Sequence, residues 1–201
     1  MLMDRIRSCP NSNSITVAVS TFCILLAGVQ SVLARPAEII LLRHAEKPPN
    51  ESNVHLSATG KERAHALVQF LTNTPTLTAN GLPVALFAAR PLSRSHSKRP
   101  VETLEPLAKH LKLHILTPHT ATECSALAKK VLDDPACDGR TVVICWVHDY
   151  LPQLAEALGV KPKPAPWKSN VFDRVWVITY SGQEGVLNDL PQRLLPGDAL
   201  R

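Results

Sequence analysis

Short apolar runs rich in β-branched residues alternate along this chain with segments in which apolar residues recur at helical spacing. The runs predict five strands, at Glu38–Leu42, Val84–Ala88, Leu113–Leu116, Thr141–Val147 and Arg174–Tyr180. Four segments between them carry apolar residues at i, i+3, i+4 and i+7, the stripe of a helix packed on one side, starting at Ala64, Leu104, Cys124 and Leu151. The pattern predicts an α/β fold, a three-layer sandwich with a mostly parallel sheet flanked by helices.

Residues that favour helix ends agree with this pattern. Ser57 is a favoured N-cap, Pro100 and Pro152 suit first turns, and Gly159 suits a helix end. Two segments lack any regular pattern and are predicted to be irregular, Lys161–Asn170 and Pro191–Arg201.

The first 34 residues have the composition of a targeting segment. Arg5 and Arg7 precede an apolar run from Ile15 to Leu33, and small residues at Val32 and Ala34 suit a cleavage site. We therefore expect residues 1–34 to be a signal peptide and residues 35–201 to be one domain, either periplasmic or secreted. The alternative is an uncleaved membrane anchor, which would be the domain's only membrane contact.

Composition and charge limit the partners of the domain. The 201 residues are 45% hydrophobic and 19% charged, which is typical of a folded domain with a core. Loss of the signal would lower the formal net charge from +5 to +4. The basic residues are scattered and form no recognisable nucleic-acid motif, so we expect a small anionic substrate or a phosphoprotein as partner and no nucleic acid.

Three cysteines remain after the signal, and their spacing does not suit a metal site. Cys145 lies in an apolar run and is predicted to be a buried thiol. Cys124 and Cys137 could pair in an oxidising compartment, an alternative that the sequence leaves open.

Cationic side chains follow three of the predicted elements. Arg43 and His44 come directly after the first strand, His148 follows the strand Thr141–Val147, and Arg99 begins the helix after Val84–Ala88. Ligands of an open parallel sheet bind at the carboxyl ends of its strands, so these groups meet there if the strands are neighbours. Guanidinium groups match phosphate oxygens and a neutral imidazole can attack phosphorus, which predicts phosphoryl transfer with no metal or cofactor.

Four segments carry a family resemblance. They are Leu42-Arg43-His44-Ala45-Glu46-Lys47-Pro48, Leu56-Ser57-Ala58-Thr59-Gly60-Lys61-Glu62-Arg63-Ala64, Arg99-Pro100-Val101-Glu102-Thr103 and Val143-Ile144-Cys145-Trp146-Val147-His148. The first resembles the Arg-His-Gly signature of the histidine phosphatase superfamily, the phosphoglycerate mutase-like proteins, and the others resemble later segments of that family in the same order. The resemblance spans about residues 38 to 180.

The resemblance implies that His44 becomes phosphorylated, that Arg43 and Arg99 clamp the phosphoryl group, and that His148 completes the pocket. Ala45 departs from the family glycine, and Trp146-Val147 stands where many members have a glycine before the histidine. The proton donor stays open between Asp149 and Glu123.

Three further roles are weaker expectations. Glu46 follows Asp149 and Glu123 as a candidate proton donor, and Glu46 and Lys47 are expected to contact substrate. Arg94 is the substitute for Arg99. The expected activity is hydrolysis of a phosphomonoester; the alternatives are a protein phosphohistidine phosphatase and a member that binds phosphate without turnover.

Overall fold

The structure is a computed structural model, and it describes residues 35–50, 52–93 and 97–199. The predicted signal peptide, its alternative as an anchor, and Arg94 lie outside the described residues, so export stays a prediction. In the part that is described, no helix is both long enough and apolar enough to span a membrane.

One mixed sheet of six strands forms the centre of the fold. The strands are β1 (Glu38–Arg43), β2 (Ala85–Ala88), β3 (Ile115–Leu116), β4 (Thr141–Trp146), β5 (Arg174–Ser181) and β6 (Glu184–Pro191), in the order β3-β2-β4-β1-β5-β6. The first four are parallel to one another, whereas β5 runs antiparallel to β1, and β6 to β5. The predicted α/β sandwich is confirmed.

Helices cover both faces of the sheet. They are α1 (Ala58–Asn73), α2 (Arg99–Leu111), α3 (Cys124–Asp133) and α4 (Leu151–Ala157). Alternate residues of β1 point to opposite faces, so Ile40 packs with α1 and α2 and Ile39 packs with α3 and α4. All four predicted helices are present, and the Ser57 hydroxyl caps α1 by accepting a hydrogen bond from the Gly60 N–H.

The sequence pattern did not predict β6. This strand joins β5 through a tight turn in which Gly182 has a φ of 62°, a conformation that favours glycine. It lies at the edge of the sheet, and its exposed residues do not follow a regular apolar alternation. Within the described residues, the two predicted irregular segments contain no helix, and their only strand residue is Pro191, the last residue of β6.

The pairing of Cys124 with Cys137, which the sequence left open, is absent, because both are free buried thiols, as is Cys145. Cys124 begins α3, whereas Cys137 lies beyond its last residue, Asp133. A helix of ten residues is about 15 Å long, so α3 holds the two thiols at opposite ends.

Candidate active site

The predicted site residues meet at the carboxyl ends of neighbouring strands. Arg43 is the last residue of β1, the His44 N–H donates to the Trp146 carbonyl of β4, and His148 begins the 3-10 turn after β4. Arg99 is the first residue of α2, which follows β2 on the other side of β4. The strand order β2-β4-β1 therefore satisfies the condition on which the sequence argument depended.

His44 is buried and is held in one tautomer. Its Nδ1 lies 2.8 Å from the Ala45 carbonyl oxygen, which can only accept, so Nδ1 carries the hydrogen and Nε2 keeps a free lone pair. Burial, together with the nearby Arg43, Arg99 and His148, lowers the pKa of His44 to about 3, although the hydrogen bond to the Ala45 carbonyl acts in the opposite direction. The imidazole is therefore neutral and nucleophilic at any pH near neutrality.

Arg43 is buried without a hydrogen-bonded carboxylate. Its Nη1 donates to the carbonyls of Ser169 at 2.7 Å and Val171 at 3.0 Å, and its guanidinium carbon lies 3.8 Å from the centroid of the Phe172 ring. Burial lowers the pKa of Arg43 to about 10, so the group stays protonated. Its buried Nε has no hydrogen-bond partner among the described residues.

Arg99 is held by the segment that precedes α1. Its Nε donates to the His55 carbonyl at 3.1 Å, and its Nη2 contacts the Asn53 carbonyl. Thr103, one turn further along α2, donates its hydroxyl to the Arg99 carbonyl at 2.7 Å and accepts the Ala45 N–H at 2.9 Å. Thr103 thus ties the start of α2 to the residue that orients His44.

His148 lies beside Asp149 at the more open side of the site. Its Nε2 is 3.3 Å from Asp149 Oδ1, and its buried Nδ1 has no partner in the part of the chain that is described. Burial lowers the pKa of His148, Arg43 and Lys47 lower it further, and Asp149 acts in the opposite direction. Lys47 therefore acts electrostatically on His148, which places Lys47 near the site, and its contact with substrate stays a prediction.

The two leading candidates for the proton donor have different surroundings. Asp149 acts electrostatically on both Arg43 and His148, and its side chain is 65% exposed. Glu123 accepts hydrogen bonds of 2.7 Å from the N–H and the hydroxyl of Thr120, which hold the pKa of that carboxyl below its usual range. Its nearest cations are Arg90 and His119, so the geometry favours Asp149.

Glu46 is hydrogen-bonded to a residue of α1, and its predicted substrate contact stays a prediction. Its Oε1 accepts a hydrogen bond of 2.8 Å from Nε of the buried Arg63. Phe172 was not identified from the sequence, although its ring packs on Arg43 and lies 6.1 Å from the His44 ring, centroid to centroid. Nothing local marks Phe172, because it reaches the site from a loop that is more than 120 residues away along the chain.

Two observations limit other kinds of site. Within the described ranges, no group of three or more histidine, cysteine or acidic residues could hold a metal ion. A cavity of about 480 Å³ lies against β5 and β6, but its lining, which includes Trp167 and Trp176, contains none of the predicted site residues. Phosphate recognition depends on directed donors rather than on volume, so cavity size does not locate this site.

The fold resembles those of solved phosphatase structures. A protein described as an alpha-ribazole-5'-P phosphatase from Escherichia coli K-12 aligns with a TM-score of 0.55 at 14% identity, covering 80% of this chain and 98% of its own. The alpha-ribazole phosphatase of Shigella flexneri aligns at 0.50 and 14%, covering 79% and 98%. A mycobacterial glucosyl-3-phosphoglycerate phosphatase, solved with inorganic phosphate, aligns at 0.50 and 12%, covering 76% and 95%.

No model of a known protein family matches the sequence, and no curated protein matches it. At these identities the likeness concerns the fold. The chain has a phosphoglycerate mutase-like α/β fold, as the four sequence segments led us to expect.

Proposed function

We propose that this chain is an exported phosphatase that hydrolyses a phosphomonoester through a phosphohistidine on His44. One observation carries the proposal. A neutral imidazole with its Nε2 lone pair free lies beside the cationic guanidinium of Arg43, whose buried Nε lacks a partner within the described residues. Buried donors without partners are unfavourable in a folded protein, and a phosphoryl group would satisfy them.

The reaction follows from these positions. His44 Nε2 attacks phosphorus, a P–N bond forms, and the P–O bond to the leaving group breaks while the leaving oxygen takes a proton from Asp149. Arg43, Arg99 and His148 stabilise the negative charge on the three remaining oxygens. Water then attacks the phosphorus, the P–N electron pair returns to Nε2, and Asp149 recovers its proton from that water.

Trapping the intermediate tests this proposal. Brief incubation with a radiolabelled aryl phosphate, followed by an alkaline quench, is expected to leave phosphate on His44 that is stable in base and released in acid. The matched pair is His44→Ala, which is expected to abolish labelling and turnover, and His65→Ala, which changes an exposed histidine of α1 and is expected to alter neither.

Two results would redirect the proposal. Phosphate binding without any labelled His44 would identify a phosphate-binding protein that lacks turnover. Activity on phosphohistidine peptides far above that on aryl phosphates would identify a protein phosphohistidine phosphatase. The large exposure of Asp149 suits this second outcome, because a phosphoryl donor with a good leaving group needs less help from an acid.

A further inference from the structure

Arg63, on α1, is buried and saturated with acceptors. Its Nη1 and Nη2 donate to the two carboxylate oxygens of Asp198 at 2.9 and 2.7 Å, and Nη1 also donates to Gln192 Oε1 at 3.0 Å. On its other edge, Nε lies 2.8 Å and Nη2 2.7 Å from Glu46 Oε1. Arg63 therefore joins the segment that follows His44 to the C-terminal segment 192–199.

The backbone of Glu46 is fixed independently of its side chain. The Ser57 N–H donates to the Glu46 carbonyl at 2.9 Å. Gly60 approaches so closely that a Cβ on it would lie 2.4 Å from the same oxygen. The position of the chain after His44 is thus set by contacts with the start of α1, which leaves the direction of the Glu46 side chain as the variable that Arg63 controls.

That direction matters because Glu46 is close enough to act on the phosphate donors. Glu46 is two residues from His44, and its charge raises the pKa of Arg43. Its Oε2 is buried and makes no hydrogen bond within the described part of the chain. A carboxylate turned toward Arg43 would compete with a phosphate dianion for the same guanidinium and would repel it.

We propose that Arg63 is a positioning residue that holds the Glu46 carboxylate away from Arg43 and so keeps the phosphate pocket open to anions. The Asp198 and Gln192 contacts satisfy the remaining donors of Arg63. The inference rests on the proposed function of the site, and it predicts an effect on anion affinity that a purely structural arginine would not have.

The test measures the dissociation constant of inorganic phosphate on the full chain at pH 7 and low ionic strength. Arg63→Gln is expected to weaken phosphate binding by about tenfold, because a unit charge is left unpaired close to the bound anion. Adding Glu46→Gln to that variant is expected to restore the affinity to within about threefold of wild type, since the repelling charge is then gone.

Asp198→Asn is the matched control. It removes the other carboxylate from the same guanidinium, so the free energy of unfolding is expected to fall. The Glu46–Arg63 contact stays, and phosphate affinity is expected to change by less than about twofold because the charge near Arg43 is unaltered. A loss of affinity in Asp198→Asn equal to that in Arg63→Gln would overturn the inference.

A second pair of variants decides the matter if Arg63→Gln does not fold. Glu46→Asp keeps the charge but shortens its reach to Arg63, and it is expected to weaken phosphate binding. Glu46→Gln keeps the length without the charge, and it is expected to bind phosphate at least as tightly as wild type. Equal weakening in both would assign Glu46 a direct contact with the anion and overturn the inference.

The outcomes separate this inference from the proposed function. A wild-type chain that neither binds phosphate nor forms phosphohistidine contradicts the proposed function, and the inference falls with it. A wild-type chain that does both, together with an Arg63→Gln variant of unchanged affinity, contradicts the inference alone.

Discussion

Two arginines are buried in this protein within reach of the same carboxylate, and their surroundings differ. Arg63 is hydrogen-bonded to two carboxylates, so the pKa of its guanidinium is raised although burial alone would lower it. Among the described residues, Arg43 is hydrogen-bonded only to carbonyls, and burial lowers its pKa to about 10. The protein has neutralised one buried cation internally and left the other without a paired anion.

This difference distinguishes an arginine that positions other groups of the protein from one that is available to an external anion. A buried guanidinium paired with carboxylates has no need of a further anion, whereas one held by neutral carbonyls keeps its net charge. The reciprocal effect appears at Asp198, where hydrogen bonds from Arg63 hold the pKa of the carboxyl at about 2. No carboxylate is hydrogen-bonded to Arg43 among the described residues, so its guanidinium is available to an external anion such as phosphate.

Replacing Arg43 by glutamine should lower the activity more than the stability, whereas replacing Arg63 by glutamine should have its larger effect on the stability. Arg43→Gln is expected to lower kcat/KM by about a thousandfold, the effect of losing a preorganised donor to the transition state. Its unfolding free energy should change by no more than about 1 kcal/mol, because no buried carboxylate loses a hydrogen-bonded partner. Arg63→Gln should instead lose about 3 kcal/mol, because two carboxylates are left without their partner. Chemical denaturation and steady-state kinetics on both variants provide the measurement.

The distinction between Arg43 and Arg63 is contradicted if Arg43→Gln and Arg63→Gln change kcat/KM and the unfolding free energy by equal amounts. Arg174→Gln is the control for a general loss of an arginine, because Arg174 pairs with Asp189 across β5 and β6 at 2.8 Å, away from His44. It should alter kcat/KM by less than about twofold. If Arg43→Gln unfolded as readily as Arg63→Gln while keeping its activity, Arg43 would be the structural residue.

The identity of the proton donor is tested by a smaller expected effect on kcat. Asp149 interacts electrostatically with Arg43, whereas Glu123 accepts hydrogen bonds from Thr120. Asp149→Asn is expected to lower kcat on an alkyl phosphate by about ten- to a hundredfold and to have less effect on an aryl phosphate, whose leaving group needs less protonation. Glu123→Gln should reduce kcat much less. Asp133→Asn, on the exposed end of α3, controls for the loss of a surface carboxylate. A larger loss in Glu123→Gln than in Asp149→Asn would reverse the assignment.

Glu38, in β1, is a buried carboxyl whose pKa is set by burial and not by a neighbouring arginine. Burial raises the pKa of Glu38 to about 7, and its Oε1 has no hydrogen-bond partner among the residues described. The folded state therefore binds this proton more tightly than the unfolded state, so stability falls as the pH rises from about 4.5 to 7. Glu38→Gln should raise the unfolding free energy at pH 8 by about 1 kcal/mol and by less at pH 5. A gain that does not depend on pH would show that the carboxyl is not protonated in the fold.

Much of the fold was predictable because its signals are local. Apolar runs and helical stripes mark all the elements except β6, which lies at the edge of the sheet and needs no regular apolar pattern. Arg43, His44 and His148 were identifiable because each stands at or directly after the end of a strand. The contacts of Glu46 were not predictable. Its position close to His44 in the sequence suggested a substrate role, whereas its partner Arg63 lies on α1.

The sequence by itself determined the four helices, five of the strands and the position of cationic side chains at the ends of these elements, because short-range spacing controls both. Only the tertiary structure decided which buried arginine would face carboxylates. Arg43 meets carbonyls at residues 168–171, and Arg63 meets side chains at positions 192 and 198, so each environment depends on contacts more than 120 residues apart. Such contacts form when the layers pack, and they give two chemically identical side chains different surroundings, neutral carbonyls at Arg43 and carboxylates at Arg63.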